Sequence, residues 1–315
     1  MLTQEQIAFF HANGYLIMRG VFQGEELRCL IEAVDAVQAE GEARRGKGHL
    51  YTPGPDGKDV YWRSEQMWAR GDVFQAVTVK PALMENIGQC IGQAFYPWND
   101  SLVVKIARQG AAVRWHQDPP YSDPRRHTTF PIPNFTTDIY LDHSGPDNGC
   151  VWAIPGRHLV GHVDLADLSA EDLFTHYGAQ PIEMEAGDVL FHALSTPHGS
   201  QPNLSDRQRR IFYIHYLAEE AYQDAYAHTG EEWVKSKPGW GAERESLVRG
   251  MIAARERLGW DSYTETGTLH LGEGGFTFLG EPVSPPAYWG HLTASLPSAE
   301  RARLKTLEPK PLSSV

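Results

Sequence analysis

Apolar residues change their spacing midway along the chain. Near the N-terminus they recur every three or four positions, the period of a helix with one buried face. Thr3 with Gln6 has the form of a capping box and Asn13-Gly14 that of a helix stop, so a short helix is predicted through IAFFH. YLIMRGVF (15–22) is a strand-like run, and a second helix is predicted from Leu27, Leu30, Ile31, Val34 and Val37. Pro81 opens another, with Leu83, Met84, Ile87 and Ile91 on one side. Residues 43–72 break the pattern. They are rich in Gly, Pro and charge yet carry Tyr51, Tyr61, Trp62 and Trp68, as expected of an irregular lid.

From 101 onward the period shortens towards two. SLVVKIA, VRWHQD, TTDIYLD, GCVWAIP, DVLFHAL and RIFYIHYL are strand candidates separated by Gly, Pro, Asn and Asp. No helical pattern of the length a parallel crossover needs lies between them, so a doubly wound sheet is disfavoured. Antiparallel strands closing into a barrel or jelly roll are expected, giving a mainly β fold with flanking helices. Helical spacing returns within 220–260, around ERESLVRGMIAARERLG, and KTLEPKPLSSV reads as a loose tail. The expected organisation is a single domain over 1–315. A helical region and lid occupy approximately 1–100, the β core 101–217, a helical and loop extension 218–300, and the tail 301–315.

The composition fits this picture: 41% hydrophobic and 22% charged residues are ordinary for a globular protein. The net charge of −12 argues against nucleic acid or an anionic membrane surface as partner. Cys29, Cys90 and Cys150 are odd in number and widely spaced, which suits reduced thiols and a cytoplasmic location. The N-terminus lacks the pattern of a signal peptide, and no apolar run is long enough to span a bilayer. Nothing resembles a coiled-coil seam, and the oligomeric state stays open.

Within the β region, WHQDPPYS (115–122) holds candidate chemistry. On a strand, residues two apart share a face, so His116 and Asp118 would project together. An imidazole and a carboxylate on one face are two of the three ligands in a 2-His-1-carboxylate triad. Such a triad binds Fe(II) and leaves positions open. A His–Asp hydrogen bond on a turn is the plain alternative. A second segment strengthens the metal reading. DVLFHALSTPHGSQPNLSDRQRRIFYIHY (188–216) carries His192, His198, Ser200, Arg207, Arg209 and Arg210. Either histidine would complete the triad, and an arginine on the next strand could grip a carboxylate through its planar fork. For Arg207 and Arg210, solvated surface charge is the ordinary explanation. His127, His143, His158, His162, His176 and His215 read as surface or core polar groups.

In this order and spacing the motifs resemble the phytanoyl-CoA dioxygenase family of Fe(II)/2-oxoglutarate oxygenases. The matching stretches are FFHANGYLIMRGVF, His116-Gln117-Asp118, NGCVWAIPGRH (148–158) and GDVLFHALSTPHGSQPN (187–203), with Arg209 eleven positions after His198. The resemblance covers roughly residues 5–217. It implies a double-stranded β-helix (cupin-like jelly roll) with His116, Asp118 and His198 as iron ligands. It also implies Arg209 on the far carboxylate of 2-oxoglutarate, assisted by Ser200, with O2 as oxidant. His192 lacks the His-Gly-Ser context. Arg157 stands where the family often has serine, which bears on the site mouth and on no ligand. An intact Asp118 argues for hydroxylation, desaturation or oxidative ring closure over halogenation, since related halogenases carry a small residue there.

For the substrate wall the candidates are Trp152, Arg126, His127, Lys105 and the aromatics of 51–68. Core packing is the ordinary role for the aromatics, and a snorkelling strand lysine for Lys105. The substrate expected is a small molecule, a natural-product intermediate and possibly a sugar-containing one. Two other classes share part of this residue set. One is a zinc-dependent hydrolase or isomerase on a cupin-type barrel, and the other is a barrel that binds a small molecule without turnover.

Overall fold

The computed structural model describes the chain apart from residues 55, 92–93, 119–134, 161–162, 164, 166–168, 170–172, 175–176, 219–239, 264–268, 273–274 and 279–315. Two antiparallel sheets face one another, in the double-stranded β-helix arrangement. The larger contains β1 (Tyr15–Met18), β2 (His49–Pro53), β3 (Asp59–Glu65), β4 (Phe95–Lys105), β6 (Phe135–Tyr140), β9 (Val189–Ala193), β11 (Arg209–Ala218), β12 (Leu269–Gly272) and β13 (Gly275–Phe278). The smaller has the order β5-β10-β7-β8, from β5 (Val113–His116), β10 (His198–Ser200), β7 (Val151–Ala153) and β8 (Gln180–Pro181).

Alternation on the large sheet separates two environments. Phe212, Ile214 and Tyr216 of β11, with Phe135 and Ile139 of β6 and Val189 and Phe191 of β9, join the core cluster that contains the helices' apolar faces. Those helices are α1 (Gln4–Asn13), α2 (Gly24–Ala43), α3 (Asp72–Thr78), α4 (Pro81–Ile91) and α5 (Trp240–Arg257). The intervening residues point the other way, towards the small sheet. Because directly opposed residues share a face, cross-strand register assembles this inner wall in rows. His192, Thr136 and His215 form one row, Asp138 and Tyr213 the next, Tyr140, Ile211 and Val103 a third, and Arg209 opposite Lys105 a fourth.

Local signals behave as their chemistry requires. Thr3 and Gln6 form the reciprocal capping box of α1. Gly14 ends α1 at φ 80°, and a Cβ there would lie 2.4 Å from His158 Nδ1. The expected strand over 15–22 stops at Met18, and the expected strand over 113–118 stops at His116. Residues 43–72 differ from the expected irregular lid. They form the hairpin β2–β3, which joins the large sheet along β4, followed by a 3-10 turn over Met67–Arg70. Three of the aromatics account for this order. Tyr61 is buried, Tyr51 packs edge-on against it, and the Trp68 indole donates to Thr78 Oγ1 at 2.9 Å. No helix among the described residues is long and apolar enough to cross a membrane.

Candidate active site

His116 closes β5 and His198 opens β10, and the two are direct partners in the antiparallel register. Their rings therefore meet across the pair, with centroids 4.2 Å apart. Asp118 lies just past the strand end. Its backbone N–H donates to Leu194 O at 2.9 Å, and Gln117 donates to Ser195 O at 2.6 Å and accepts from Val163 N at 2.7 Å. These bonds tie the residues after His116 to the segment before His198, so both halves of the site move as one piece. Asp118 Oδ1 is 3.6 Å from His116 Nε2, and Oδ2 is 4.0 Å from His198 Nε2. Among the described residues this is the group whose potential ligand atoms converge, all within 4.8 Å of one another.

The donor set fits a cation. His116 Nδ1 lies 2.8 Å from Arg114 O and His198 Nδ1 2.9 Å from Thr196 O. A carbonyl only accepts, so both Nδ1 atoms carry hydrogen, and each ring in its neutral form aims an Nε2 lone pair at the space beside Asp118. Two lone pairs and a carboxylate facing one point repel unless a cation stands between them. The charged groups of the site also act on one another. Burial alone would raise the Asp118 carboxyl, but the imidazoles of His198, His116 and His215 outweigh it and hold it far below the usual carboxylate range. Burial lowers His116, yet the Asp118 carboxylate more than offsets this and leaves it raised. Burial, with His116 adding to it, brings His198 down to about 3.

The cavity holding the triad encloses about 170 Å³ and reaches Ser200 and Arg209. Arg209 is 1% exposed. Its Nη2 donates to Gly149 O at 2.9 Å, while its buried Nε has no partner among the described residues. A guanidinium donor left open at the end of a cavity suits a carboxylate. Gly149 matters to that placement. It sits at φ 77°, and a Cβ there would come within 2.6 Å of Gln201 O. Asn148 pins the same turn by accepting from Gly145 N and donating to His143 O. Asn203 donates to Lys105 O and Arg207 O, shaping the approach to β11.

The other residues singled out from sequence divide. His192 lines the cavity, but its Nε2 faces Asp138 Oδ2 at 3.6 Å and it stays outside the converging ligand set. Burial lowers it and Asp138 more than compensates, so it is raised overall. Lys105 faces the inner side, opposite Arg209, but does not line the cavity. Its Nζ donates to Ala111 O at 2.7 Å and Gln201 O at 2.5 Å, and burial followed by the Arg209 charge pushes it well down. Trp152 is half-buried and packs edge-on against Phe174, away from the cavity lining. Arg126 and His127 lie outside the described residues. Arg207 is exposed and pairs with Asp147, as surface charge does. Arg210 is not a solvated surface charge. It is buried, grips Asp142 through two bonds of 2.9 Å, and also pairs with Asp35 of α2. Arg157 is not among the lining residues.

His215, Tyr213, Asp138, Thr136 and Arg63 line the cavity without having been singled out as site residues. The signal for four of them was present. Arg209, Ile211, Tyr213 and His215 alternate along β11, and Thr136 and Asp138 along β6, so fixing one inward residue fixes the others. His215 Nε2 lies 3.9 Å from Asp118 Oδ2, and burial lowers its pKa. Arg63 arrives through the β2–β3 hairpin, with its guanidinium 5.0 Å from the Tyr213 ring centroid.

Comparison with known proteins bears on the family and the fold. The phytanoyl-CoA dioxygenase family model matches residues 10–211. A methylphosphonate hydroxylase from Gimesia maris is 24% identical over 232 residues, covering 71% of this chain and 86% of the relative. EvdMO1 is similar in structure at 26% identity and a TM-score of 0.54, covering 68% of this chain. The chain spans about half of that protein, 49%. EctD from S. alaskensis, solved with 2-oxoglutarate and 5-hydroxyectoine, aligns with a TM-score of 0.58 at 21% identity, over 70% of this chain and 77% of EctD.

Proposed function

This chain belongs to the phytanoyl-CoA dioxygenase family, and we propose that it oxidises a C–H bond of a polar, ring-bearing natural-product intermediate by hydroxylation or oxidative cyclisation. The protein is a non-haem Fe(II)/2-oxoglutarate-dependent dioxygenase that acts on small molecules. The observation that supports the site assignment is one cavity containing both a convergent His116–Asp118–His198 set and an open guanidinium donor on Arg209. A zinc hydrolase or a binding barrel leaves that donor without a role.

In this reading His116, Asp118 and His198 would hold the metal, and three protein ligands would leave positions open for cosubstrate. When bound, Fe(II) and 2-oxoglutarate supply the oxidising power, with O2 consumed and succinate and CO2 released. The chain supplies placement. Arg209 and Ser200 orient the diacid by its distal carboxylate, so that its 2-oxo acid end faces the triad. The bonds made by Gln117 and Asp118 keep the ligand residues in register with the diacid site.

The wall composition supports a polar substrate over a long acyl chain. The aliphatic lining residues Val103, Val113, Val151 and Ile211 occupy the registers next to Ser200 and Arg209. Among the described residues, the remainder of the wall beyond the triad is Trp62, Arg63, Thr136, Asp138, His192, Gly199, Tyr213 and His215. Such a surface offers hydrogen bonds and stacking to a sugar or heterocycle. The names of a methylphosphonate hydroxylase and of EctD with 5-hydroxyectoine also favour hydroxylation of a small polar molecule. The test is substrate-stimulated succinate formation across a panel of glycosylated polyketides, small polar metabolites and acyl thioesters. Stimulation by polar ring compounds is expected. Stimulation by acyl thioesters alone would overturn the substrate assignment.

A further inference from the structure

Packed against the cavity's lining residues Val151 and Ile211 is a polar group that the mechanism above does not use. Tyr140 closes β6, is fully buried, and has no hydrogen-bond partner for its hydroxyl among the described residues. An unpaired phenol in the interior forfeits its hydrogen bonds to water, so such groups normally have an acceptor. Its place in the fold shows where that acceptor would come from. Tyr140 is the direct cross-strand partner of Ile211 and so points to the inner side of the sheet. It packs in one cluster with Val151 and Ile211, which both line the cavity. Arg209 stands two residues from Ile211 on the same face, and its Nε is also buried without a partner. Two buried donors in adjoining rows of the inner wall thus lack an acceptor among the described residues, Arg209 lining the cavity and Tyr140 packed against its lining residues Val151 and Ile211. Electrostatics agree on their proximity. Burial, with Asp138 adding to it, raises the Tyr140 phenol well above its ordinary range, while the Arg209 charge opposes that rise.

We infer that Tyr140 is a third anchor for the cosubstrate, its phenol O–H donating to the distal carboxylate that Arg209 Nε also binds. The inference rests on the reading of Arg209 as the diacid anchor. A carboxylate has lone pairs enough for a guanidinium, the Ser200 hydroxyl and a phenol together. The phenol stays protonated at working pH, so it serves as a neutral donor beside a cation. It adds direction to the grip without adding charge. It also favours a ligand whose second carboxylate reaches the end of the cavity, which selects 2-oxoglutarate over a 2-oxo monoacid.

The test uses the full-length protein loaded anaerobically with Fe(II). The visible metal-to-ligand band is titrated with 2-oxoglutarate and, separately, with pyruvate, which has the chelating end and no distal carboxylate. The thermal midpoint of the metal-free protein is measured alongside. For Tyr140→Phe we expect 2-oxoglutarate to bind about tenfold more weakly, the loss of one buried hydrogen bond. Pyruvate binding should not change, and the metal-free protein should be no less stable than the parent. Unchanged 2-oxoglutarate affinity would overturn the inference, as would equal weakening for both acids. A lowered midpoint with unchanged affinity would also overturn it, by showing that the hydroxyl serves the fold. The parent protein separates the two readings: a band with 2-oxoglutarate that Arg209→Ala does not weaken would sink the diacid site itself, whatever Tyr140→Phe does.

Discussion

At the residue scale the site is a matter of which lone pairs and N–H groups are left over once the backbone has taken its share. The Nδ1 atoms of His116 and His198 are used on carbonyls, so their Nε2 atoms are available to metal. Asp118→Ala or His198→Ala should abolish Fe(II) binding and succinate formation, and unchanged succinate output in either variant would contradict the ligand assignment. Arg209 is held by Gly149, whose left-handed backbone has no room for a side chain. Gly149→Ala imposes about 1–2 kcal/mol of backbone strain and a clash with Gln201 O. It should therefore weaken 2-oxoglutarate binding while leaving Fe(II) affinity nearly intact. Parallel titrations with metal and cosubstrate check that split, and equal loss of both would show a general collapse of the site instead.

At the element scale, the helices and the large sheet are locked by a few buried polar contacts in an apolar interface. Arg210 joins solvent-exposed Asp35 of α2 to Asp142 just beyond β6, and losing its two charge-assisted bonds to the largely buried Asp142 should cost about 1.5–3 kcal/mol. Arg210→Met should lower the urea midpoint accordingly, and a shift within error would mean the pair is solvated in solution. The end of α1 packs on His158. Burial pushes His158 down to about 3 and His11 down to about 4, from an ordinary 6.5. Both stay neutral in the folded chain at a pH where the unfolded chain takes up protons. Stability should therefore fall as pH drops from about 6.5 towards 4, because the unfolded state binds more protons there. Urea unfolding at pH 7.5, 6 and 5 reads this directly, and a flat or rising profile over that interval would contradict it. Gly14→Ala, which drives a Cβ into the His158 ring, should destabilise the protein at every pH.

At the scale of the whole molecule, the sequence carries the faces of strands far better than their partners. Alternation along RIFYIHYL and TTDIYLD determines which residues share a side, and His116, Asp118, His198, Ser200 and Arg209 duly meet in one cavity. The choice between His192 and His198 was legible only through the family motif. His192 on the large sheet and His198 on the small one line the same cavity, and only register places His198 opposite His116. His215 was read as a core polar group because a lone histidine on a strand usually is one. Its role at the cavity depends on Thr136 being its partner across the sheet, a contact between positions 79 residues apart. The hairpin over 49–65 was hidden by its Gly, Pro and charged residues, since its order comes from pairing with β4 rather than from any local period. Likewise β12 and β13 are four residues each and gain their order from edge pairing on β4.

The central claim is that a metal triad and a diacid anchor share one cavity, and an anaerobic titration tests it most directly. Fe(II) and then 2-oxoglutarate are added to the metal-free protein, and the visible charge-transfer band is followed in the parent and in Arg209→Ala. The account predicts a band that requires both additions. In the variant, removing the cation should weaken 2-oxoglutarate by about 2–5 kcal/mol, roughly thirtyfold to several thousandfold. Absence of the band in the parent, together with tight zinc binding, would contradict it.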